Sequence, residues 1–127
     1  MLTRRSYCCC VSLQHYAVRF QRSPAYLVAA VGGAGATDAD PAARCTELID
    51  AAAAAGLDGI DLAAIPVVVT ESVVSYAKSR GLVVGVWVTE SLDVESGWTV
   101  FAARGVDYLT TNLPPQIYQV FDRRSKR

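Results

Sequence analysis

Two rhythms of apolar residues alternate along most of this chain: short unbroken runs, and stretches in which apolar residues recur every three or four positions. Residues 25–31 form an unbroken run, polar only at the Tyr26 hydroxyl, as expected for a parallel strand buried on both faces. The helical rhythm follows, with Cys45, Leu48, Ile49 and Ala52 at i, i+3, i+4 and i+7, one face of an α-helix. Asp40 before Pro41 marks its start: an aspartate side chain can accept from the free amides of the first turn, and proline suits the first helical position. Gly56 marks its end, since glycine takes the left-handed conformation that closes a helix. The order then repeats. Gly56-Leu57-Asp58-Gly59-Ile60-Asp61-Leu62, Gly81-Leu82-Val83-Val84-Gly85-Val86-Trp87-Val88 and Gly105-Val106-Asp107-Tyr108-Leu109-Thr110-Thr111-Asn112-Leu113-Pro114 each read as a helix stop followed by a buried strand. Their leading glycines lie 25 and 24 residues apart, the period at which a helix can return the chain beside the previous strand.

Between these strands the pattern predicts further helices. Thr70 caps one running to Arg80, with Val73, Val74 and Ala77 facing inward; Trp98, Phe101 and Ala102 mark the next, with Trp98 in the core; Ile117, Val120 and Phe121 stripe the last. Upstream, residues 7–12 read as a strand and residues 14–21 as a short helical stretch that Pro24 ends. The whole chain, residues 1–127, reads as one α/β domain of parallel strands alternating with helices. In such units the chemistry gathers at the C-terminal ends of the strands.

Composition narrows the picture. A hydrophobic fraction of 52% over 127 residues fills one core, yet a complete eight-fold βα barrel takes about 250 residues. Twelve acidic and twelve basic residues cancel, which removes the field that draws a protein to nucleic acid or an anionic membrane. No apolar run reaches the roughly 20 residues of a membrane-spanning helix. Adjacent Cys8, Cys9 and Cys10 cannot pair with one another without severe strain, and Cys45 stands apart, so free thiols in a reducing compartment are expected. Localisation stays open, with cytoplasmic placement the favoured reading. Arg4, Arg5, Arg19 and Arg22, in an acid-free start, keep a mitochondrial presequence as an alternative, and the cysteine run keeps palmitoylation. The basic C-terminal residues 123–127 read as a solvated tail.

The segments from Thr70 to Gly81, from Val84 to Thr89 and from Gly105 to Pro114 together resemble the C-terminal part of the glycerophosphodiester phosphodiesterase family. Its seventh strand ends in tryptophan, as here at Trp87. Its eighth reads Gly-Val-Asp, a few apolar residues, then Thr-Asp or Thr-Asn and proline. The resemblance is closest over residues 56–121 and extends more loosely to residues 7–31, which would be strands four and five. It implies the C-terminal half of a TIM-type (β/α)8 barrel and phosphoric diester hydrolysis in glycerophospholipid metabolism. It also implies a divalent metal, calcium or magnesium, as cofactor. The family's His-Arg pair, its metal-binding Glu-x-Asp pair and its second histidine have no counterparts in this sequence. The reading is therefore of a truncated piece, inactive alone, with no catalytic or metal-ligating residue of its own.

The residue inventory has the same gap. Cleavage of a phosphodiester by a general acid and a general base wants two groups that titrate near neutrality, and His15 is the one histidine. Asp61 and Glu90, expected to face one another across the mouth, and Asp93 further along the same loop, read as solvated carboxylates before they read as metal ligands. A residual hydrolase using Asp61, Glu90 and His15 is the least favoured reading. Asp58 and Asp107 open their strands, on the stabilising side. Gly32-Gly33-Ala34-Gly35 lacks the spacing and the Lys-Ser or Lys-Thr of a phosphate-binding loop, and reads as a flexible connection. Trp87 is the best site candidate, placed to stack on the glycerol or alcohol part of a ligand, with Thr89 and Asn112 offering hydrogen bonds beside it. A different class of reading is a non-catalytic scaffold: half a barrel leaves two open strand edges, which invite a homodimer or a missing N-terminal half.

Overall fold

The computed structural model describes residues 9–12, 25–32 and 39–125. Strands β1 (Cys9–Ser12), β2 (Tyr26–Ala29), β3 (Gly59–Ala63), β4 (Val83–Trp87) and β5 (Tyr108–Thr111) make one sheet, in the order β1-β5-β4-β3-β2. Helices α1 (Pro41–Ala54), α2 (Glu71–Ser79) and α3 (Glu95–Ala103) connect β2 through β5, and α4 (Pro114–Ser125) follows β5. Strands β2 to β5 are parallel neighbours in sequence order. Right-handed crossovers that all step the same way put their helices on one face of the sheet. This is a stretch of βα repeat of the kind a TIM-type barrel contains; the sheet of described strands is open.

The helix ends follow the local chemistry read from the sequence. The Asp40 side chain accepts from the Ala43 amide at 3.1 Å, and the Thr70 hydroxyl from the Val73 amide at 3.3 Å. Gly56, Gly81 and Gly105 have φ of 70°, 78° and 88°, the left-handed turn that frees the chain to re-enter the sheet. The core lies between sheet and helices, where Ile60 and Leu62, Val84 and Val86, and Leu109 meet Ile49, Val73, Val74, Ala77, Phe101 and Ile117. Trp98 belongs to it as expected. Cys45 is buried in the same core, outside any disulfide.

Aspartates fix the strands at their starting ends. Asp58 Oδ2 accepts from the Ala25 amide at 2.7 Å, tying β3 to β2. Asp107 Oδ2 accepts from the Val84 amide at 2.9 Å, tying β5 to β4, while Lys78 Nζ sits 3.1 Å from its other oxygen. Their strand-starting position therefore has a direct stabilising use: each satisfies an amide that the sheet ladder leaves over.

Three expectations are corrected. Residues 7–12 and 25–31 are not neighbouring parallel strands. β1 lies at the far edge from β2 and runs antiparallel to β5, with Val11 opposite Leu109 and Cys10 opposite Thr110. The sheet is thus parallel in four strands, with one antiparallel. The open β5 edge expected of a half-barrel is consequently occupied, because a short antiparallel strand can meet its free amides and carbonyls without a crossover. Finally, β2 is not buried on both faces: with the connecting helices on one side and no described strand beyond it, Val28 is 66% exposed. The helical stretch at residues 14–21, His15, Cys8 and the Gly33-Ala34-Gly35 part of the glycine loop lie outside the described residues.

Candidate functional site

Side chains alternate across a strand, so with Ile60, Leu62, Val84 and Val86 pointing to the helices, Asp61, Ala63, Gly85 and Trp87 point to the opposite face. In a closed barrel that face would be the interior. Pairing sets the layout: Asp61 lies opposite Gly85 and Val28, and Ala63 opposite Trp87, which is in turn opposite Thr110. Trp87 is the last residue of β4 and half-buried. Its indole Nε1 is sealed from solvent and has no hydrogen-bond partner.

Thr89 and Asn112 each follow two residues after the paired Trp87 and Thr110, at the tops of adjacent strands, and both are exposed. The Thr89 hydroxyl is 3.4 Å from that of Ser91, at the start of a 3-10 turn, Glu90–Leu92, which the sequence pattern did not reveal. The three candidate residues therefore share one rim.

Asp61 is not near the top of its strand. It is the third of five residues in β3, opposite Gly85, which itself lies five positions before Glu90, exposed in the 3-10 turn. The pair does not span the mouth. The Asp61 carboxyl leans over β4, close enough that a Cβ built on Gly85 would be 3.3 Å from Oδ1. Oδ1 is buried and unpartnered. Burial pushes the Asp61 pKa up from 3.8, because removing water disfavours the charged form. The folded protein then binds this proton more tightly than the unfolded chain, so the contribution of Asp61 to stability is greatest at low pH and is lost as pH rises through the raised pKa. Asp61→Asn removes the charge that burial disfavours and is expected to raise the stability at pH 7 by about 1 kcal/mol, a modest gain because the side chain is only half-buried. The gain should vanish below about pH 4, near the unfolded-state value. Urea melts of both proteins at the two pH values check this; a variant no more stable at pH 7 would refute it.

Asp93 is the larger correction. It is 4% exposed, not a solvated loop carboxylate. Its Oδ1 accepts from Trp98 Nε1 at 2.8 Å and from the Thr111 hydroxyl, and its Oδ2 accepts from the Asn112 amide at 2.9 Å. The Thr111 oxygen in turn accepts from the Leu113 amide at 2.9 Å. This network joins the loop after β4 to the end of β5 and to α3, and so holds the rim on which Thr89 and Asn112 sit. A sequence signal was available only in part: Asp93 and Trp98 are five residues apart, but Thr111 is eighteen away.

A divalent cation asks for several converging oxygens. Among the described residues no three His, Cys, Asp or Glu side chains converge, so no chemical step is derived through a metal. Comparison with family models, with curated proteins and with solved structures gave no match.

Proposed function

We propose that this chain forms part of a glycerophosphodiester phosphodiesterase-type barrel and supplies one wall of its substrate site, while the acid, the base and the metal ligands come from a complementing half. The supporting observation is the layout of one rim. Four parallel strands run in sequence order, and Trp87, Thr89 and Asn112 share the C-terminal ends of two of them. Trp87 offers an indole face to the alcohol part of the substrate, and Thr89 and Asn112 offer polar groups two residues further along the rim. A metal held by the other half would polarise the phosphoryl oxygens. The test is hydrolysis of glycerophosphocholine with calcium or magnesium, with and without a chelator. The folded chain alone should show no turnover. Mixed with a separately produced N-terminal half-barrel carrying the His-Arg and Glu-x-Asp motifs, it should gain chelator-sensitive turnover, and Trp87→Ala should lower that by about tenfold, the loss of one good contact. Turnover by the chain alone would overturn the assignment of catalysis to the other half. A stable but inactive mixture would overturn the family reading.

The non-catalytic scaffold is favoured by a separate observation, the edge strand β2 with Val28 exposed. On that reading the chain is a homodimer joined along β2, and sedimentation of a monomer at all concentrations would exclude it.

A further inference from the structure

Parallel sheets are almost always covered on both faces. Here the helices lie on one face, where Ile60, Leu62, Val84, Val86 and Leu109 meet them. The other face carries Tyr26, Val28, Asp61, Trp87 and Tyr108, since parallel partners in register point the same way and side chains alternate along each strand. Small residues sit between the large ones. Gly59 leaves room for the Tyr26 ring to lie across β3, and Gly85 lies between Asp61 and Tyr108. Large and small residues mixed in this way fill the interior of a small barrel. The described residues place no helix or strand over this face, and Val28 is 66% exposed on it.

We infer that two copies of this chain close one eight-stranded barrel, with β5 of each copy paired in parallel to β2 of the other. The count fits: β2 to β5 are four parallel strands in sequence order, and four from each copy make the eight of a (β/α)8 barrel. A two-fold axis along the barrel then makes both junctions at once, so the assembly stops at two. A dimer joined edge to edge along β2 alone would leave the Val28 face open, whereas closure puts Val28 inside. The strand that governs closure is β1. It is antiparallel, four residues long, and paired in the described sheet to β5 alone, on the edge that closure needs. Its ladder bonds are of the same kind as those a second copy's β2 offers, so exchanging one for the other is near balance. Burial of two interior faces then tips the exchange toward the dimer. The inference rests on the barrel reading proposed above, but on neither phosphodiester hydrolysis nor a separate N-terminal half.

The experiment is sedimentation of the full chain over a range of concentrations, with hydrogen exchange read by mass spectrometry on the same samples. The expected result is an equilibrium between monomer and dimer with nothing larger. As the dimer forms, amides of β2 should exchange more slowly and those of residues 9–12 faster, while β5 stays protected. Cys10→Pro with Val11→Pro removes a ladder bond from β1 whichever of the two neighbouring amides points at β5. It should tighten the dimer about tenfold. Val28→Lys, tolerated where the side chain meets water, should weaken the dimer at least about tenfold, because an unpaired charge is costly inside a closed barrel. A monomer at every concentration, in the parent and the proline variant alike, overturns the proposal. So do assemblies that grow without limit, which mean edges that pair without closing. A dimer in which β2 gains protection while residues 9–12 keep theirs is joined along β2 alone, and overturns it too, as does a Val28→Lys dimer as tight as the parent's. If the proline variant does not fold, the parent's exchange pattern and Val28→Lys still decide. None of these readouts uses turnover, so failure here and failure of the hydrolysis reading are told apart.

Discussion

Asp93→Ala is expected to lower stability by about 3 kcal/mol, a large part of the 5–15 kcal/mol that holds a typical domain together. The carboxyl accepts three hydrogen bonds at 4% exposure, and alanine leaves the indole N–H, a hydroxyl and a backbone amide to find partners in the interior. Hydroxyls can turn elsewhere; the indole and the amide cannot. Asp93→Asn should lose about half as much, because one oxygen remains an acceptor while the amide nitrogen faces a donor. Trp98→Phe removes its bond to Asp93 and part of a buried ring and should cost about 2 kcal/mol. Combined with Asp93→Ala it should add less than its own cost, since the two share one contact. Urea unfolding with an unchanged slope measures all of these. A loss under 1 kcal/mol for Asp93→Ala would mean that the network is not what holds this loop.

Gly97→Ala is the second large effect, and its sign is not obvious from the helix alone. Alanine is the better helix former by about 1 kcal/mol in an exposed helix interior. Gly97, however, lies in the first turn of α3, pressed on the 3-10 turn before it. A Cβ there would fall inside the contact shell of the Leu92 carbonyl oxygen and 3.0 Å from its carbonyl carbon. Backbone is on the receiving side, so nothing flexible can yield. Either α3 or the 3-10 turn must shift, and that turn leads into Asp93. Forced overpacking costs about 1–3 kcal/mol, and here it also strains the hydrogen bonds that Asp93 makes. The expected net loss is about 2 kcal/mol, again by urea midpoint. An alanine variant at least as stable as the parent would show that α3 can move freely against the turn.

These two residues also mark where reading the sequence reaches its limit. What was legible was local. Asp40 with Pro41, Thr70, and the glycines at 56, 81 and 105 announce helix ends through chemistry within a few residues, and the buried stripes of α1, α2 and α4 follow from spacing. The order of β2 to β5 follows because a parallel crossover of that length has few ways to go. What was not legible depends on distant partners. The place of β1 is decided by which edge lacks hydrogen bonds, a property of the finished sheet and not of residues 7–12. Asp93 reads as a solvated loop residue until Thr111 and Asn112 arrive from β5 to bury it. Asp61 reads as a solvated carboxylate near the top of its strand, whereas it lies mid-strand with Oδ1 buried and unpartnered, leaning over Gly85 of the next strand.

The aspartates that begin β3 and β5 have one more consequence. By anchoring amides at the starting ends, Asp58 and Asp107 set the alignment of each strand before the chain reaches the rim. Strand alignment is thereby set at the end opposite the rim, so exposed rim residues such as Thr89 and Glu90 can be exchanged without any strand slipping past its neighbour. A fold wired in this way can alter what it binds while keeping how it folds, provided the Asp93 network that ties the loop above β4 to the end of β5 is kept.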